Sequence, residues 1–263
     1  MKGEIILSTL TLETKDNVAE ITIQSPPANA LSSTILQDLS NELDKIENDS
    51  SVKAILLKGE GKFFSAGADI KEFTSLQGAE DYQGLAAKGQ QLFNRIENFH
   101  VPVIAVIHGA ALGGGLELAM SCHIRYVADG AKLGLPELNL GIIPGFAGTQ
   151  RLPRHVGSAR AYEMILSGTP ITGEEAVRIG LANQSFPEEE LFTKAEQLAK
   201  AIAKKSGPTI NHVMKLIPYA HTSQFEAGTN AEAEAFGDVF GNEDAKEGIQ
   251  AFIDKRKPEF KDQ

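Results

Sequence analysis

The sequence predicts an α/β protein that ends in an all-helical region. Short apolar segments rich in β-branched residues alternate with amphipathic segments of helix length over most of the chain, which indicates strand–helix–strand crossover units. From Pro187 onward the segments keep helical spacing and no strand pattern remains. We therefore predict an α/β core that carries the functional site at residues 1–195 and a C-terminal helical region at residues 196–263.

The first elements of the core are indicated by alternation and by a capping residue. Residues 5–13 and 18–24 alternate apolar and polar side chains and predict a β-hairpin. Ser32 or Ser33 is a suitable N-cap for a helix that continues to Ile46. Residues 52–58 then predict another strand, so the chain has begun a crossover unit.

The middle of the chain contains a polar segment and then a buried strand. Residues 74–84 are polar with two glycines and predict a mobile flap ahead of a helix at 85–99. The apolar, β-branched run at 103–107 ends at glycines and predicts a buried strand. Further strands are predicted at 124–128 and 131–133, and helices at 116–120, 146–156, 160–167, from Thr172, and at 188–205, 209–219, 225–240 and 244–257.

Composition and charge exclude several classes of protein. The 263 residues are 42% hydrophobic and 23% charged, which is typical of a globular protein with a substantial core. The net charge of −10 argues against a nucleic-acid partner, because such a protein needs a basic surface. The single cysteine, Cys122, cannot form an internal disulfide, and we expect a packed structural thiol.

The sequence predicts neither a membrane protein nor an exported one. The one long apolar stretch, residues 101–120, contains His108, Glu117 and four glycines, so it fits a strand, a turn and a helix better than a membrane span. The first residues include Glu4 and resemble neither a signal peptide nor a transit peptide. We therefore expect a cytoplasmic location.

Motifs of several common enzyme classes are absent. There is no G-x-S-x-G elbow, no H-E-x-x-H, no cluster of cysteines and histidines and no G-x-x-x-x-G-K-[ST] loop. We therefore expect no metal site, and we interpret His108, His123 and His155 as structural. Lys255 begins a short basic cluster, K-R-K, which is either a solvated surface or a contact for a phosphate.

The glycine-rich segment after the predicted strand at 103–107 is the main candidate site. It reads H-G-A-A-L-G-G-G-L-E over residues 108–117 and ends at the start of a predicted helix. A helix N-terminus has free N–H groups and a partial positive charge, so it stabilises a developing oxyanion. A second segment of small residues, around Ala68, could supply another N–H to the same oxygen. The alternative is that the glycines only permit close packing of a strand and a helix.

Two glutamates in apolar surroundings are candidate acid and base groups. Glu117 follows the three glycines, and Glu137 follows Pro136, which restricts the local backbone. Buried carboxyls that lie close together titrate at different pH values, so that one serves as acid and the other as base. The alternative for each is pairing with an arginine, such as Arg125, or exposure to solvent.

In combination, these segments resemble the enoyl-CoA hydratase (crotonase) family. The resemblance rests on F-F-S-A-G-A-D-I-K at 63–71, H-G-A-A-L-G-G-G-L-E-L-A at 108–119, L-P-E at 135–137, P-G-F-A-G-T-Q-R-L at 144–152 and the segment 255–263. It extends in order over nearly the whole chain. The fold that it implies is a crotonase-type spiral of β-β-α turns followed by a helical region that packs trimers, commonly paired into hexamers.

The resemblance also implies a role for individual residues. Ala68 and Gly114 match the positions whose N–H groups hold a thioester oxygen. Glu117 and Glu137 match the two glutamates that hold one water, Glu117 as general base and Glu137 as the donor of a proton to the α-carbon. The segment Ala68, Asp69, Ile70 and Lys71 matches the contact with coenzyme A, as do Phe252 and Lys255, often from a neighbouring subunit. Coenzyme A is part of the substrate, and no other cofactor is implied.

The implied function is hydration of a 2-enoyl-CoA, with two alternatives. An enoyl-CoA isomerase or another acyl-CoA lyase shares the fold, but isomerases generally need only one of the two glutamates. A non-catalytic, RNA-binding relative is disfavoured by the acidic composition. Leu116 and Phe146 occupy variable positions, and Ser65 replaces the more usual alanine or cysteine.

Overall fold

The structure, a computed structural model, describes residues 9–73, 79–221, 224–240 and 243–262. Within these ranges the strands form a six-stranded and a three-stranded sheet. The larger sheet contains, in spatial order, β1 (Leu10–Lys15), β2 (Val18–Ile23), β3 (Ala54–Gly59), β4 (Val103–Ile107), β6 (Ile124–Ala128) and β9 (Gln184–Phe186). The smaller contains β5 (Ala110–Leu112), β7 (Lys132–Gly134) and β8 (Ile171–Thr172).

The larger sheet is antiparallel only in its first pair. β1 and β2 form the predicted hairpin, and Asp16 and Asn17 both have positive φ in its turn, as a type I′ turn requires. From β2 to β9 every neighbouring pair is parallel. The carboxyl ends of these strands therefore meet at one edge, where the segments that follow β2, β3 and β4 lie against one another.

The helices cover the sheet and then continue into the C-terminal region. They are α1 (Ser33–Glu47), α2 (Ile70–Phe73), α3 (Ala79–Glu97), α4 (Gly114–Ser121), α5 (Gly148–Val156), α6 (Ser158–Ser167), α7 (Gly173–Arg178), α8 (Glu188–Ala203), α9 (Gly207–Leu216), α10 (Phe225–Phe240) and α11 (Glu243–Ile253), with 3-10 helices at Glu137–Leu140 and Ile217–His221. Ser32 is the N-cap of α1, and its side chain accepts a hydrogen bond from the N–H of Ile35. Within the described ranges, no helix is both long and apolar enough to cross a membrane.

The core is built around the central parallel strands. Every residue of β4 is buried, and so are all but one of the residues of β3, because elements pack on both faces of these strands. Helix α8 packs against β3, β4 and β6. This helix contains residue 195, where the division between the α/β core and the helical region is predicted; that division stays a prediction.

The tail after α11 is tied back to the body of the molecule. The carboxylate of Asp244, at the start of α11, accepts hydrogen bonds from the N–H groups of Lys261 and Asp262 at 2.7 and 3.0 Å. The carboxylate of Asp262 in turn accepts from the N–H of Gly207 and pairs with the buried ammonium of Lys53, both at 2.7 Å. Charged hydrogen bonds therefore fasten the tail after α11 to the start of α9 and to the residue that precedes β3.

Some predictions of secondary structure were wrong in part. Residues 79–84 of the predicted flap belong to α3, whereas residues 74–78 lie outside the described residues. The first strand begins at Leu10 within the described residues and extends to Lys15, past its predicted end. The predicted helix at 146–156 begins only at Gly148, because residue 147 adopts a left-handed conformation. Strands β5, β8 and β9 were not predicted.

Candidate active site

Two backbone N–H groups meet at the edge where the strands end. Gly114 is the first residue of α4, and Ala68 pairs with Leu31 in an isolated β-bridge after β3. A methyl group added to Gly114 would lie 3.2 Å from the nitrogen of Ala68, so the two segments are in contact. Among the described residues, neither the N–H of Ala68 nor that of Gly114 has a hydrogen-bond acceptor. Two unsatisfied donors side by side, one of them at a helix N-terminus, suit an anionic oxygen.

The segment that carries Ala68 is held by two polar side chains that the sequence analysis did not identify as functional. The hydroxyl of Ser65 donates to the carbonyl of Asn29 at 2.8 Å and accepts from the N–H of Gly67 at 3.2 Å. The amide of Asn29 donates to the carbonyls of Glu60 and Phe63 at 2.9 and 2.7 Å. Asn29 also has a φ of 51°, which asparagine tolerates better than most residues. The asparagine in the predicted turn was therefore the signal in the sequence that could have indicated this position. Both side chains fix the direction of the Ala68 N–H.

Glu117 lies one turn inside α4 and is only 1% exposed. Its Oε1 accepts hydrogen bonds from the N–H groups of Phe146 and Gly148 at 2.8 and 2.7 Å. Burial raises the pKa of Glu117 from 4.5 to about 7, against the lowering effect of the Gly148 hydrogen bond, and the charge of Glu137 adds to the increase. A carboxyl with a pKa near neutrality can both take up and release a proton at physiological pH.

The sequence left open that Glu117 is exposed to solvent or pairs with an arginine such as Arg125, and the structure shows neither. The carboxyl is not exposed, and Arg125 does not pair with it. The guanidinium of Arg125 instead donates to the carbonyls of Leu181 and Cys122, both at 2.6 Å. Arg125 is therefore a structural residue that satisfies the ends of buried segments.

The turn at residues 146–148 serves as a binding site for one carboxyl oxygen. Ala147 has a φ of 73°, and this left-handed residue aims the N–H groups on either side of it at the same atom. A methyl group added to Gly148 would lie 2.9 Å from Oε1 of Glu117, so the close approach needs glycine. The ring of Phe146 packs edge-on against Phe93, with 5.4 Å between the ring centroids. The turn therefore fixes one oxygen of Glu117, whereas the other oxygen has no hydrogen-bond partner among the described residues.

Glu137 is presented from the first position of a 3-10 helix, directly after Pro136. It is 9% exposed, and burial raises its pKa above the ordinary value for a glutamate. A methyl group added to Gly113 would lie 3.0 Å from Oε1 of Glu137, so the carboxyl lies beside the glycine turn. Its buried Oε2 has no hydrogen-bond partner among the described residues. An unpaired buried carboxyl oxygen is costly, which suggests that it meets a ligand or water.

These groups line one cavity of about 650 Å³. Ala68, Gly114, Glu117 and Glu137 all contribute to its wall, and the rest of the described lining is apolar or small except for Tyr82. Glu117 and Glu137 are the only charged residues among the described lining residues. The cavity therefore combines two backbone donors, two carboxyls with raised pKa values and an apolar space.

Of the remaining residues predicted to contact coenzyme A, one lines the cavity and the others do not. Ile70 lines the cavity, whereas Asp69 and Lys71 lie next to it in the chain without lining it. The carboxylate of Asp69 accepts from the N–H of Lys71 at 3.0 Å. Phe252 is 84% exposed near the end of α11, and Lys255 follows that helix; neither lines the cavity.

The cysteine is buried and one of the histidines is partly buried, and neither lines the cavity. Cys122 is a free thiol, and burial raises its pKa to about 12, so it is a packed thiol as predicted. Burial lowers the pKa of His123 to about 4, and its Nδ1 accepts from the N–H of Val103 at 3.0 Å. His123 is therefore a neutral, structural residue.

Comparisons with known proteins agree with this arrangement over nearly the whole chain. The sequence profile of the enoyl-CoA hydratase/isomerase family matches residues 13–263. A probable enoyl-CoA hydratase of Bacillus subtilis is 57% identical over 97% of this chain and 99% of its own length. A short-chain-enoyl-CoA hydratase of Clostridium acetobutylicum is 41% identical over 96% of this chain and 97% of its own.

A solved structure shows the same fold. The enoyl-CoA hydratase of Bacillus anthracis superposes with a TM-score of 0.92 at 34% identity, covering 97% of this chain and all of that one. The family match therefore extends to the order and packing of the elements that bring the two donors and the two carboxyls together. By sequence and by fold, this chain belongs to the enoyl-CoA hydratase/isomerase family.

Proposed function

We propose that this protein is an enoyl-CoA hydratase that adds water reversibly across the 2,3 double bond of a 2-enoyl-CoA to give a 3-hydroxyacyl-CoA, in fatty-acid or related acyl-CoA degradation. The observation that carries the proposal is that two buried carboxyls and two unsatisfied backbone N–H groups face one cavity. The relatives named as enoyl-CoA hydratases, among them one that is 57% identical, support the same reaction.

In this proposal, the thioester oxygen of the substrate accepts hydrogen bonds from the N–H groups of Ala68 and Gly114. When a water oxygen attacks C3, the electrons of the double bond move toward the carbonyl, and negative charge develops on that oxygen. The two N–H groups and the N-terminus of α4 stabilise this charge where it forms. Loss of one such donor typically raises a barrier by about 3 kcal/mol.

The two glutamates divide the proton transfers. Glu117 takes a proton from the attacking water as the oxygen bonds to C3, and Glu137 gives a proton to C2. The reaction leaves Glu117 protonated and Glu137 ionised, and exchange of protons with solvent resets the pair. The raised pKa of both carboxyls supports these roles, because each must change its protonation state near neutral pH. The nearby charge of Glu137 adds to the increase in the pKa of Glu117, because two like charges repel each other.

Binding of the coenzyme A part positions the acyl group. We assign this contact to Ala68, Asp69, Ile70 and Lys71, with Phe252 and Lys255 supplied by a neighbouring subunit. The exposed apolar side chains of the C-terminal region, such as Phe252 and Ile253, support a homotrimer or homohexamer, because a large exposed apolar surface usually marks an interface. Light scattering at several protein concentrations measures the assembly. A cytoplasmic location and the absence of a resident cofactor, metal or nucleic-acid partner complete the proposal.

An isomerase is the second candidate, because the matched family includes both activities. The presence of both glutamates in the cavity favours the hydratase, since generally only one is needed to move a double bond. An assay with a 3-enoyl-CoA as substrate separates the two, because an isomerase would convert it to the 2-enoyl isomer. A gel-shift at moderate salt tests the RNA-binding alternative.

The decisive experiment follows loss of the enoyl-thioester absorbance of crotonyl-CoA. We expect turnover by the unmodified protein and a large decrease in both Glu117→Gln and Glu137→Gln. Glu189→Gln is a matched control, because Glu189 is exposed in the first turn of α8. If both active-site variants kept nearly normal turnover, the two-carboxyl mechanism would be wrong. A series of enoyl-CoA chain lengths then defines the acyl preference.

A further inference from the structure

One buried cation lies behind Glu117. Arg151, in α5, is 3% exposed. Its Nη1 donates to the carbonyl of Phe146 at 3.0 Å, and Phe146 is one of the two residues whose N–H groups hold Oε1 of Glu117. The guanidinium therefore binds a carbonyl of the same turn whose N–H groups bind the carboxyl of Glu117.

The other donors of Arg151 are fixed by the end of α3. Its Nε donates to the carboxylate of Glu97 at 3.0 Å, and its Nη2 lies 2.9 Å from the same oxygen. Nη2 also donates to the side-chain oxygen of Asn94 at 2.6 Å. A planar guanidinium bound on three sides cannot rotate freely, so the position of the Phe146 carbonyl is tied to α3.

A single face of α3 supports the whole turn. Gln90 donates to the carbonyl of Gly145 at 2.9 Å, and the ring of Phe146 packs against Phe93 and so closely against Gly89 that a Cβ there would overlap it. With Asn94 and Glu97, these residues recur at helical spacing. Among the described residues, Arg151 is thus the charged side chain that links this supporting face to the backbone that holds Glu117.

We propose that Arg151 is a positioning residue for Glu117: it fixes the turn at residues 146–148, and that turn fixes Oε1 of Glu117 so that the other carboxyl oxygen points at the substrate. The inference rests on the proposed function, in which Glu117 is the general base. Arg151 does not line the cavity and touches no reacting atom.

The electrostatic surroundings support the same role. The charges that act on Glu117 are Glu137, from the 3-10 helix, which raises its pKa, and Arg151, from α5, which lowers it. Around Arg151 lie its partner Glu97, on α3, and Arg154, which binds the other oxygen of Glu97 at 3.2 Å. Removal of the Arg151 charge should therefore raise the pKa of Glu117. The acid limb of the pH profile of kcat/KM should then move to higher pH, because the base works only when ionised.

Two substitutions separate the charge from the geometry. Arg151→Met removes both; we expect kcat to fall by roughly 10- to 100-fold, as for loss of other outer partners that orient a working side chain. KM should change little, and the acid limb of kcat/KM should move to higher pH. Arg151→Lys keeps the cation but cannot form the same fork of hydrogen bonds, so we expect a lower kcat with the acid limb nearly unmoved.

Arg154→Met is the matched control, because Arg154 also binds Glu97 but is more than half exposed and, among the described residues, forms no hydrogen bond with the turn. It should keep normal kcat and a normal pH profile. Arg151→Met with unchanged kcat, or with reduced kcat and an unmoved acid limb, would overturn the proposal. If Arg151→Met does not fold, Asn94→Ala is the substitute, because it removes an orienting partner of the guanidinium. An unchanged kcat in Asn94→Ala would also overturn the proposal.

A readout without turnover distinguishes this inference from the proposed function. Protein labelled with ¹³C at the glutamate carboxyls reports the titration of Glu117, assigned by the signal that Glu117→Gln lacks. If the unmodified protein hydrates no enoyl-CoA, the proposed function fails. A higher titration midpoint of Glu117 in Arg151→Met would still support the link between the two residues, and an unchanged midpoint would refute it.

Discussion

Replacement of Glu117 by glutamine should remove activity and, at alkaline pH, stabilise the fold. Glutamine keeps an oxygen that can accept from the N–H groups of Phe146 and Gly148, and it brings no charge. In the folded protein the pKa of Glu117 is raised to about 7, chiefly by burial, so the folded state binds this proton more tightly than the unfolded chain does. The associated stability is fully present below the unfolded pKa of 4.5 and is lost as the pH rises through about 7.

The size of the change in stability follows from the increase in the pKa of Glu117. One pKa unit corresponds to about 1.4 kcal/mol, so an increase from 4.5 to about 7 corresponds to about 3 kcal/mol in the free energy of unfolding. The glutamine variant should therefore gain about 3 kcal/mol over the unmodified protein between about pH 5 and about pH 8. Glu137, whose pKa is also raised, contributes in the same direction to both proteins and largely cancels in the comparison.

Urea unfolding at several pH values and one protein concentration measures this difference. The quantity of interest is the difference in unfolding free energy between the variant and the unmodified protein, plotted against pH. Glu189→Gln, at an exposed position, should give a flat line. The reasoning is refuted if the Glu117→Gln difference is equally flat, or if the variant loses stability relative to the unmodified protein as the pH rises.

Four glycine-to-alanine substitutions, in two matched pairs, give further predictions. Gly89→Ala places a methyl group where the ring of Phe146 lies, so we expect it to destabilise the protein by about 1–3 kcal/mol in thermal unfolding. Gly84→Ala on the same helix meets open space and should instead stabilise by up to about 1 kcal/mol; equal effects would contradict the packing of Phe146. Gly114→Ala places a methyl group 3.2 Å from that ring and in front of the oxyanion donors, so kcat should fall by about 10²- to 10³-fold. Gly130→Ala, with no neighbour within 4 Å, should retain activity, and equal losses in both would argue against the oxyanion site.

The sequence predicted best the elements whose signals are local. Strands β4 and β6 and helix α10 have the predicted bounds, because each has a run of residues with one clear period and distinct flanks. Strand β5, with the residues Ala-Ala-Leu, has weak strand propensity and forms through its pairing with β7. Strand β9 has only three residues and exists as the edge partner of β6. Such pairings are set by the fold and leave no periodic pattern.

The residues of the candidate site also fall into two groups: those that the sequence indicated and those that it missed. Glycines and apolar flanks around Glu117 pointed to an oxyanion site, and the residues themselves also indicated a second donor near Ala68 and a second carboxyl at Glu137. Resemblance to a family then implied the roles of these residues toward a coenzyme A thioester. The left-handed residue Ala147 and the role of Arg151 were missed, because both depend on contacts between segments far apart in the chain. The Asn29 and Ser65 contacts were missed for the same reason.

The order of strands in the larger sheet has a consequence for biosynthesis. Among the strands that the structure describes, each new strand of this sheet joins the same edge as the chain lengthens, and none is inserted between two earlier ones. A chain leaving the ribosome can therefore assemble the sheet in the order of translation. The described residues that line the cavity or hold Glu117 have all been made once residue 148 has been added, but α8, which packs against β3, β4 and β6, follows only at Glu188–Ala203. The nascent chain thus has a period in which the candidate active-site groups exist before α8 covers the strands that it packs against, and that apolar surface leaves solvent only when α8 docks.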